Sequence, residues 1–195
     1  DFVNDEKFLV FLGDNIIQKN IIEFKNHFHE ANFDATILLC EVDNPSRFGI
    51  ANIKNNKIVK IVEKPKNPSS NLAVTGIYFL TPKIFEIIDN LKPSWRDELE
   101  ITDALDILLK QNDNISFEII TDYWKDTGTP QDIIHANGQM IKSMKGDMKG
   151  EVGDDVNISG KVIIGNGSHI EKNVTITGPV IIGENCHINS GTIIG

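Results

Sequence analysis

The sequence is short of cysteine, of positive charge and of long apolar runs. It holds 2 cysteines, Cys40 and Cys186, which lie far apart and set no disulfide framework, and this favours a reducing compartment. The net charge is −9, whereas a nucleic-acid binder needs a basic face. No apolar run approaches the length of a membrane span, and the first residues lack signal-peptide character. We therefore expect a cytoplasmic protein that binds neither nucleic acid nor a membrane.

Apolar residues are nevertheless plentiful, at 40% of 195 residues, which is enough for one full domain and a smaller one. The apolar run Phe8 to Leu12 continues without alternation into Gly13-Asp14-Asn15. Such a run predicts a strand that is buried on both faces, as in the centre of a parallel sheet. Because strands of this kind end at the ligand crevice, Asp14 would stand where a carboxylate can hold a cation against a phosphate. The alternative is a plain turn, since Gly, Asp and Asn all favour turns.

The first part of the chain alternates between strand and helix patterns. A helical pattern over 17–28 separates the first strand from a second apolar run over 35–42. A strand, a helix and a strand in this order predict a βαβ unit with the usual right-handed connection. We therefore expect an α/β domain over residues 1–145, followed by a short linker without apolar periodicity.

Two further local signals are specific. The runs 47–53 and 57–62 flank Asn55-Asn56, and because Asn tolerates positive φ this predicts a hairpin that turns there. Thr129-Pro130, followed by Asp132, predicts the start of a helix with a capping box, which runs to about residue 143.

The last part of the chain has a different pattern, in which an isoleucine occupies every sixth position. This hexapeptide repeat predicts a parallel β-helix over residues 150–195, with three-sided coils and the isoleucines stacked in the bore. His169 and His187 are one coil apart, so we expect them to stack on one outer face, as solvated surface rather than as a metal site. The isoleucines are Ile158, Ile164, Ile170, Ile176, Ile182, Ile188 and Ile194.

Six short motifs carry a resemblance to a known family. They are LGDN at 12–15, RFGIA at 47–51, EKP at 63–65, AVTGIYF at 73–79, RDELEITDAL at 96–105 and WKDTGTP at 124–130.

In this order, and followed by hexapeptide repeats, these motifs resemble the sugar-1-phosphate nucleotidylyltransferases. The resemblance is strongest to the glucose-1-phosphate thymidylyltransferases that carry a hexapeptide-repeat tail. It implies a Rossmann-like nucleotidyltransferase domain followed by a left-handed parallel β-helix. The implied reaction joins glucose 1-phosphate to dTTP or UTP, giving dTDP-glucose or UDP-glucose and pyrophosphate. It also implies Mg²⁺ as cofactor and a homo-oligomer formed through the β-helix.

The resemblance further implies roles for particular residues. Asp14 and Asp126 match Mg²⁺ ligands that are also catalytic, and Lys64 matches the catalytic residue that holds the sugar phosphate. Glu63 matches the residue that binds sugar hydroxyls, and Gly49 and Val74 match positions whose backbone lines the sugar pocket. Glu98 and Glu100 border that pocket.

The residue types suit this chemistry, although each also has an ordinary structural explanation. Mg²⁺ is usually bound by about one or two carboxylates together with phosphate oxygens, and lysine supplies a point charge for phosphate. In the ordinary explanations Asp126 forms a turn before Gly128, Glu63-Lys64 is a strand-end pair, and the Glu98 carboxylate caps a helix start.

The chain also departs from the family pattern. The family's N-terminal strand and Gly-rich loop, with its Arg and Lys for the triphosphate, have no match before Leu12, and the chain begins on Asp1 rather than Met. We therefore expect an N-terminally truncated domain that keeps the sugar half of the site and is inactive alone. Two alternatives stay open: a hexapeptide-repeat acyltransferase acting on an amino sugar, and a non-catalytic regulatory or scaffold subunit of the same fold.

Overall fold

A computed structural model describes residues 3–111 and 114–195, so the first two residues of the predicted domain lie outside the described part. The chain divides into two compact units, of which the first ends at Thr127 and the second is Gly128–Gly195. The division falls before the helix that the sequence assigns to the first domain, and the domain limits 1–145 and 150–195 stay a prediction. Within the described residues, no helix combines the length and apolar character needed to cross a membrane.

The first unit is a mixed α/β domain. Its elements are β1 (Phe8–Phe11), β2 (Asn15–Ile17), α1 (Ile22–Glu30), β3 (Ala35–Glu41), β4 (Ile50–Lys54), β5 (Lys57–Val62), β6 (Leu72–Leu80), α2 (Lys83–Asp89), α3 (Ile101–Gln111), β7 (Ile115–Ile120) and β8 (Trp124–Asp126).

The main sheet has the order β5-β4-β6-β3-β7, and β1 also pairs with β6. The β3–β7 pair is parallel, whereas β1, β3 and β4 are all antiparallel to β6. Since β1 and β3 both run against β6, they are parallel to each other, as the βαβ prediction requires. However, they are not neighbours, because β6 lies between them.

The core forms on both faces of this sheet because side chains alternate along each strand. On one face, Ile37 and Leu39 of β3 pack in the same cluster as Leu105 of α3. On the other face, Leu38 packs with Phe28 of α1. The central strand β3 is therefore buried on both faces, as its uninterrupted apolar run predicts.

The same prediction is wrong for β1. Burial alternates along this strand, and Leu9 and Phe11 are 40% and 41% exposed, while Phe8 and Val10 pack against the core. The strand is also antiparallel to β6 rather than part of a parallel pair. The physical reason is that, within the described residues, β1 has a core contact on one face only.

The β4–β5 hairpin turns at Asn55-Asn56, as predicted. Both asparagines have positive φ, 52° and 57°, which is the geometry of a two-residue turn of the primed type. At the open end of the hairpin Ile50 pairs with Val62, so the residues that follow and precede this pair, Glu63 and Gly49, are brought together.

The second unit begins with a helix and continues as hexapeptide coils. Its elements are α4 (Pro130–Ser143), β9 (Glu151–Val152), β10 (Asn157–Ser159), β11 (Val162–Ile164), β12 (His169–Ile170), β13 (Thr175–Thr177), β14 (Val180–Ile182), β15 (His187–Ile188) and β16 (Ile193–Ile194). The predicted capping box is confirmed, since the Thr129 and Asp132 side chains each bond the other residue's backbone N–H.

The strands of the second unit are short and parallel, and they form three sides: β9, β12 and β15; β10, β13 and β16; and β11 and β14. This is consistent with the predicted left-handed β-helix. The isoleucine prediction is confirmed, since Ile164, Ile170, Ile176 and Ile182 are buried, and the isoleucines nearer the ends pack against them. The predicted histidine stack is also confirmed: His169 and His187 are in register, with ring centroids 5.4 Å apart.

Candidate functional site

A cleft of about 230 Å³ lies in the first unit. It is lined by residues from β2, β6, β8, the hairpin ends and the start of α3. All the residues to which the resemblance assigns a role, except one, line this cleft. Those that line it are Asp14, Gly49, Glu63, Lys64, Val74, Glu100 and Asp126.

Asp14 and Asp126 are brought together by a small two-stranded sheet. In the antiparallel β2–β8 pair, Asn15 lies opposite Asp126. The carbonyl oxygen of Asp14 accepts hydrogen bonds from both the backbone N–H and the hydroxyl of Thr127, each at 2.8 Å. The sequence placed Asp14 at the end of a buried central strand, but the structure places it between β1 and β2. The two carboxylates nevertheless line one cleft.

These two carboxylates fit a hard divalent cation such as Mg²⁺. Carboxylate oxygens are the ligands that Mg²⁺ prefers, and the ion commonly takes the rest of its coordination from substrate phosphates and water. Among the described residues no group of at least 3 His, Cys, Asp or Glu side chains could hold a metal ion. Asp14 and Asp126 would therefore be the protein's share of a site that a phosphate completes.

Asn15 connects Asp14 to two distant parts of the unit. Its Oδ1 accepts from the backbone N–H of Gly76 at 3.0 Å and from the indole Nε1–H of Trp124 at 2.8 Å. Its Nδ2 donates to Asp14 Oδ1 at 2.8 Å. Asn15 is only 8% exposed, so this amide is fixed by partners on both of its ends.

The carboxylate of Glu63 is held from several directions. Thr102 Oγ1 donates to Glu63 Oε2 at 2.8 Å, and Arg96 Nη1 lies 3.7 Å from Glu63 Oε1. Burial raises the pKa of Glu63, and the negative charge of Glu100 raises it further, while the Thr102 hydrogen bond, Lys64 and Arg96 lower it. This carboxylate is placed to accept hydrogen bonds from a polar ligand in the cleft.

Lys64 directly follows Glu63 and has an unusual backbone. Its φ is 37°, in the left-handed region that residues other than glycine rarely adopt. Its N–H donates to the carbonyl of Phe48 at 3.1 Å. When a residue other than Gly, Asn or Asp has such a backbone, the strain it carries is a feature that clusters at functional sites. The lysine supplies a positive charge to a cleft that also contains Asp14 and Asp126.

Gly49 provides space beside Glu63. A Cβ at this position would overlap Thr102 Cγ2 and would lie 3.0 Å from Glu63 Oε2. The carbonyl of Gly49 accepts from the backbone N–H of Val74 at 2.7 Å. The two residues whose backbones were expected to line a sugar pocket are therefore hydrogen-bonded to each other at the cleft.

The two glutamates of the RDELE motif have different positions. Glu100 is 9% exposed and lines the cleft, and its Oε1 is 3.0 Å from Arg96 Nη1. Glu98 has a side chain that is 56% exposed and pairs with Arg96 Nη2 at 2.8 Å, and it is the predicted residue that does not line the cleft. Arg96 thus joins three carboxylates, those of Glu63, Glu98 and Glu100.

Sequence reasoning missed several residues of the cleft. Asn15 and Thr102 each bond a predicted site residue, Asp14 and Glu63 respectively, and Trp124 bonds Asn15. Tyr78 is buried against the cleft, and its burial raises its pKa, with the nearby Glu63 and Asp14 charges raising it further. Each of these residues lies within a quoted motif or next to a predicted site residue, which was a signal that could have identified it.

Comparison with known proteins agrees with the fold and the cleft, which together define a nucleotidyltransferase domain followed by hexapeptide repeats. A family model described as nucleotidyl transferase matches residues 1–143, and one described as bacterial transferase hexapeptide (six repeats) matches residues 161–195. The chain belongs to the nucleotidyl transferase family.

Two curated relatives are named as nucleotidyltransferases. The low-salt glycan biosynthesis nucleotidyltransferase Agl11 of Haloferax volcanii is 40% identical over 163 residues, which cover 83% of this chain and 46% of that protein. The glucose-1-phosphate thymidylyltransferase of Streptomyces antibioticus is 36% identical over 171 residues, which cover 87% of this chain and 48% of that protein. The chain therefore spans about half the length of these curated relatives.

The fold is also similar to that of a solved structure. The crystal structure of a UDP-glucose pyrophosphorylase complexed with UDP-glucose is similar with a TM-score of 0.64 and 28% identity. The match covers 73% of this chain and 59% of that one.

Proposed function

We propose that the protein containing this chain transfers a nucleotidyl group from dTTP or UTP to glucose 1-phosphate. The products are dTDP-glucose or UDP-glucose and pyrophosphate. The observation that carries this proposal is the single cleft lined by Asp14, Asp126, Lys64 and Glu63. The named activities of the Streptomyces relative and of the pyrophosphorylase structure support the choice of glucose 1-phosphate and of these two nucleotides.

The reaction suits a site of this composition. An oxygen of the sugar phosphate attacks the α-phosphorus of the nucleotide in line, a new P–O bond forms, and the bond to pyrophosphate breaks. The protein's task is to position two anions and to offset their charge. Lys64 would hold the sugar phosphate, and Glu63 would accept hydrogen bonds from sugar hydroxyls. Bound by Asp14 and Asp126, Mg²⁺ would supply positive charge for the phosphate oxygens.

The remaining predicted residues would shape the sugar pocket. The backbones of Gly49 and Val74 and the carboxylate of Glu100 line the same cleft as Glu63. Glu98 would act only indirectly, through its ion pair with Arg96. The inactivity of the isolated chain and the cytoplasmic location stay predictions from the sequence.

The test is an assay of pyrophosphate and nucleotide-sugar release by the full-length protein, with each nucleotide in turn. Asp14→Asn or Asp126→Asn should lower substrate-saturated turnover by about 100-fold or more, the scale expected for loss of a metal clamp. Asp89→Asn, an exposed aspartate at the end of α2, is the matched control and should be unaffected. Turnover of either site variant within about threefold of the parent would show that the pair is structural.

We also propose that the protein forms a homo-oligomer through the β-helix. Ile181 and Ile193 lie on two different sides of this element with 46% and 81% exposure, and they are the positions at which we test for an apolar interface. Replacing both isoleucines by lysine should lower the mass measured by light scattering to that of the monomer. Lysine at Ile22, which is exposed in the first unit, serves as the control. An unchanged mass for the β-helix variant would exclude an interface that contains these two residues.

A further inference from the structure

The side chain of Asn15 bonds Asp14, Gly76 and Trp124. Asn15 neighbours Asp14 in the chain, yet its side chain is buried and joins three segments: β2 itself, Gly76 in β6 and Trp124 in β8. Trp124 is 109 residues away along the chain. We propose that Asn15, anchored by Trp124 and Gly76, is a positioning residue that fixes the orientation of the Asp14 carboxylate for cation binding. This inference rests on the proposed function, since it assumes that Asp14 holds a cation.

The hydrogen bonds allow only one orientation of the Asn15 amide. A backbone N–H and an indole N–H can only donate, so the amide oxygen must face Gly76 and Trp124. The NH₂ group is then directed at Asp14 Oδ1, to which it donates at 2.8 Å. A flipped amide would place two donors against donors and an oxygen against a carboxylate.

This arrangement leaves one oxygen of Asp14 for a ligand. Oδ1 is held by Asn15, and within residues 3–111 and 114–195 Oδ2 has no hydrogen-bond partner. A hydrogen bond to a charged carboxylate is stronger than one between neutral groups, so it restrains the side chain effectively. Partners of this kind orient metal-binding carboxylates, and their loss typically weakens metal affinity by about 10- to 100-fold.

The surroundings make room for this amide. A Cβ at Gly76 would overlap Asn15 Nδ2, so only glycine lets β6 approach so closely. Trp124 is 9% exposed and packs edge-to-face on Phe48, with ring centroids 5.8 Å apart, and this packing fixes the direction of its N–H. The anchors of the amide are thus themselves rigid.

Two variants separate positioning from folding. Asn15→Asp keeps an oxygen for Gly76 and Trp124 but replaces the donor to Asp14 by a second oxygen. Trp124→Phe keeps an aromatic ring but removes the indole N–H that anchors the amide, together with part of the ring volume. The matched control is Asn52→Asp, since Asn52 also accepts a hydrogen bond through Oδ1, from Ser69 at 2.7 Å, and does not line the cleft.

The measurement is Mn²⁺ binding by electron paramagnetic resonance, with glucose 1-phosphate present, because Mn²⁺ binds the same oxygen ligands as Mg²⁺. Asn15→Asp should bind Mn²⁺ about 10- to 100-fold more weakly, Trp124→Phe about 3- to 10-fold, and Asn52→Asp like the parent. The spectrum of the bound ion should also broaden in both site variants, because the carboxylate then has several orientations. Partial unfolding would lower the bound fraction without changing the line shape.

The outcomes separate this inference from the proposed function. If Asp14→Asn binds Mn²⁺ as the parent does, Asp14 is not a cation ligand, and the proposed metal site and this inference both fail. If Asp14→Asn loses binding while Asn15→Asp and Trp124→Phe keep parental affinity and line shape, only the positioning role is wrong. Tighter binding by Asn15→Asp would also overturn it, because the added oxygen would then be acting as a ligand.

Discussion

Replacing Thr102 by valine tests whether one hydroxyl holds the buried carboxylate of Glu63. Thr102 is 4% exposed, and its Oγ1 donates to Glu63 Oε2 at 2.8 Å. Valine replaces the hydroxyl by a methyl group and keeps the Cγ2 atom that packs beside Gly49. The variant therefore removes the hydrogen bond with little change of shape.

The size of the effect depends on the charge of Glu63. A hydrogen bond to a charged group contributes about 1.5–3 kcal/mol, and one between neutral groups about 0.5–1.5 kcal/mol. The Thr102 bond lowers the pKa of Glu63, whereas burial raises it. The contribution of Thr102 is thus complete above the pKa of Glu63 and decreases as the pH falls through it. Thr102→Val should lower the free energy of unfolding by about 1.5–3 kcal/mol near pH 8 and by about 0.5–1.5 kcal/mol near pH 4.

Urea unfolding followed by tryptophan fluorescence measures this difference. The chain has 2 tryptophans, Trp95 and Trp124, and both lie in the first unit, so the signal reports on the domain that contains Thr102. In a Glu63→Gln background the effect of Thr102→Val should lose its pH dependence. A difference between Thr102→Val and the parent that stays constant from about pH 8 to about pH 4 would refute the reasoning.

Further predictions concern packing and capping. Ile170→Ala should destabilise the β-helix by about 2–5 kcal/mol and Ile158→Ala by less, because Ile170 is 0% exposed and Ile158 is only partly buried. Thermal unfolding followed by circular dichroism measures both, and equal losses of stability in the two variants would contradict this. Thr129→Ala should cost about 1 kcal/mol and speed hydrogen exchange in the first turn of α4, and unchanged exchange would exclude the cap. Gly49→Ala should destabilise the first unit by about 1–3 kcal/mol because the alanine methyl overlaps Thr102. Unaltered urea unfolding would show that the Thr102 side chain moves aside without cost.

Much of the fold could be predicted because its signals are local. Asn55-Asn56 sets a turn with two residues, and the isoleucine period needs only neighbouring coils. The two apolar runs that begin at Phe8 and Ala35 show where such reasoning ends. They look alike in sequence, yet Ala35 to Leu39 is buried on both faces and Leu9 is 40% exposed. Whether a second face is covered depends on what packs there, which a short pattern does not contain.

The site divides in the same way. Asp14 and Asp126 were predicted from their motifs, and both line the cleft. Glu98 and Glu100 are two residues apart in one motif, but only Glu100 lines the cleft. Glu98 instead pairs with Nη2 of Arg96. Such a difference depends on side-chain direction at a loop, and it could not be predicted from the motif alone.

The coils of the second unit repeat with one period in the bore and with a longer one on the outer sides. The difference limits how the number of coils can change. The isoleucine bore requires a repeat of six residues, whereas the ladders on the outer sides, such as the stack of His169 on His187, repeat only after a full coil of 18 residues. Deleting six residues between the histidines would leave every later isoleucine facing inward but would rotate His187 onto another side. Insertion or loss of 18 residues would preserve both patterns. During evolution, such an element can lengthen freely only by whole coils, and shorter changes would exchange its outer faces while its interior stayed intact.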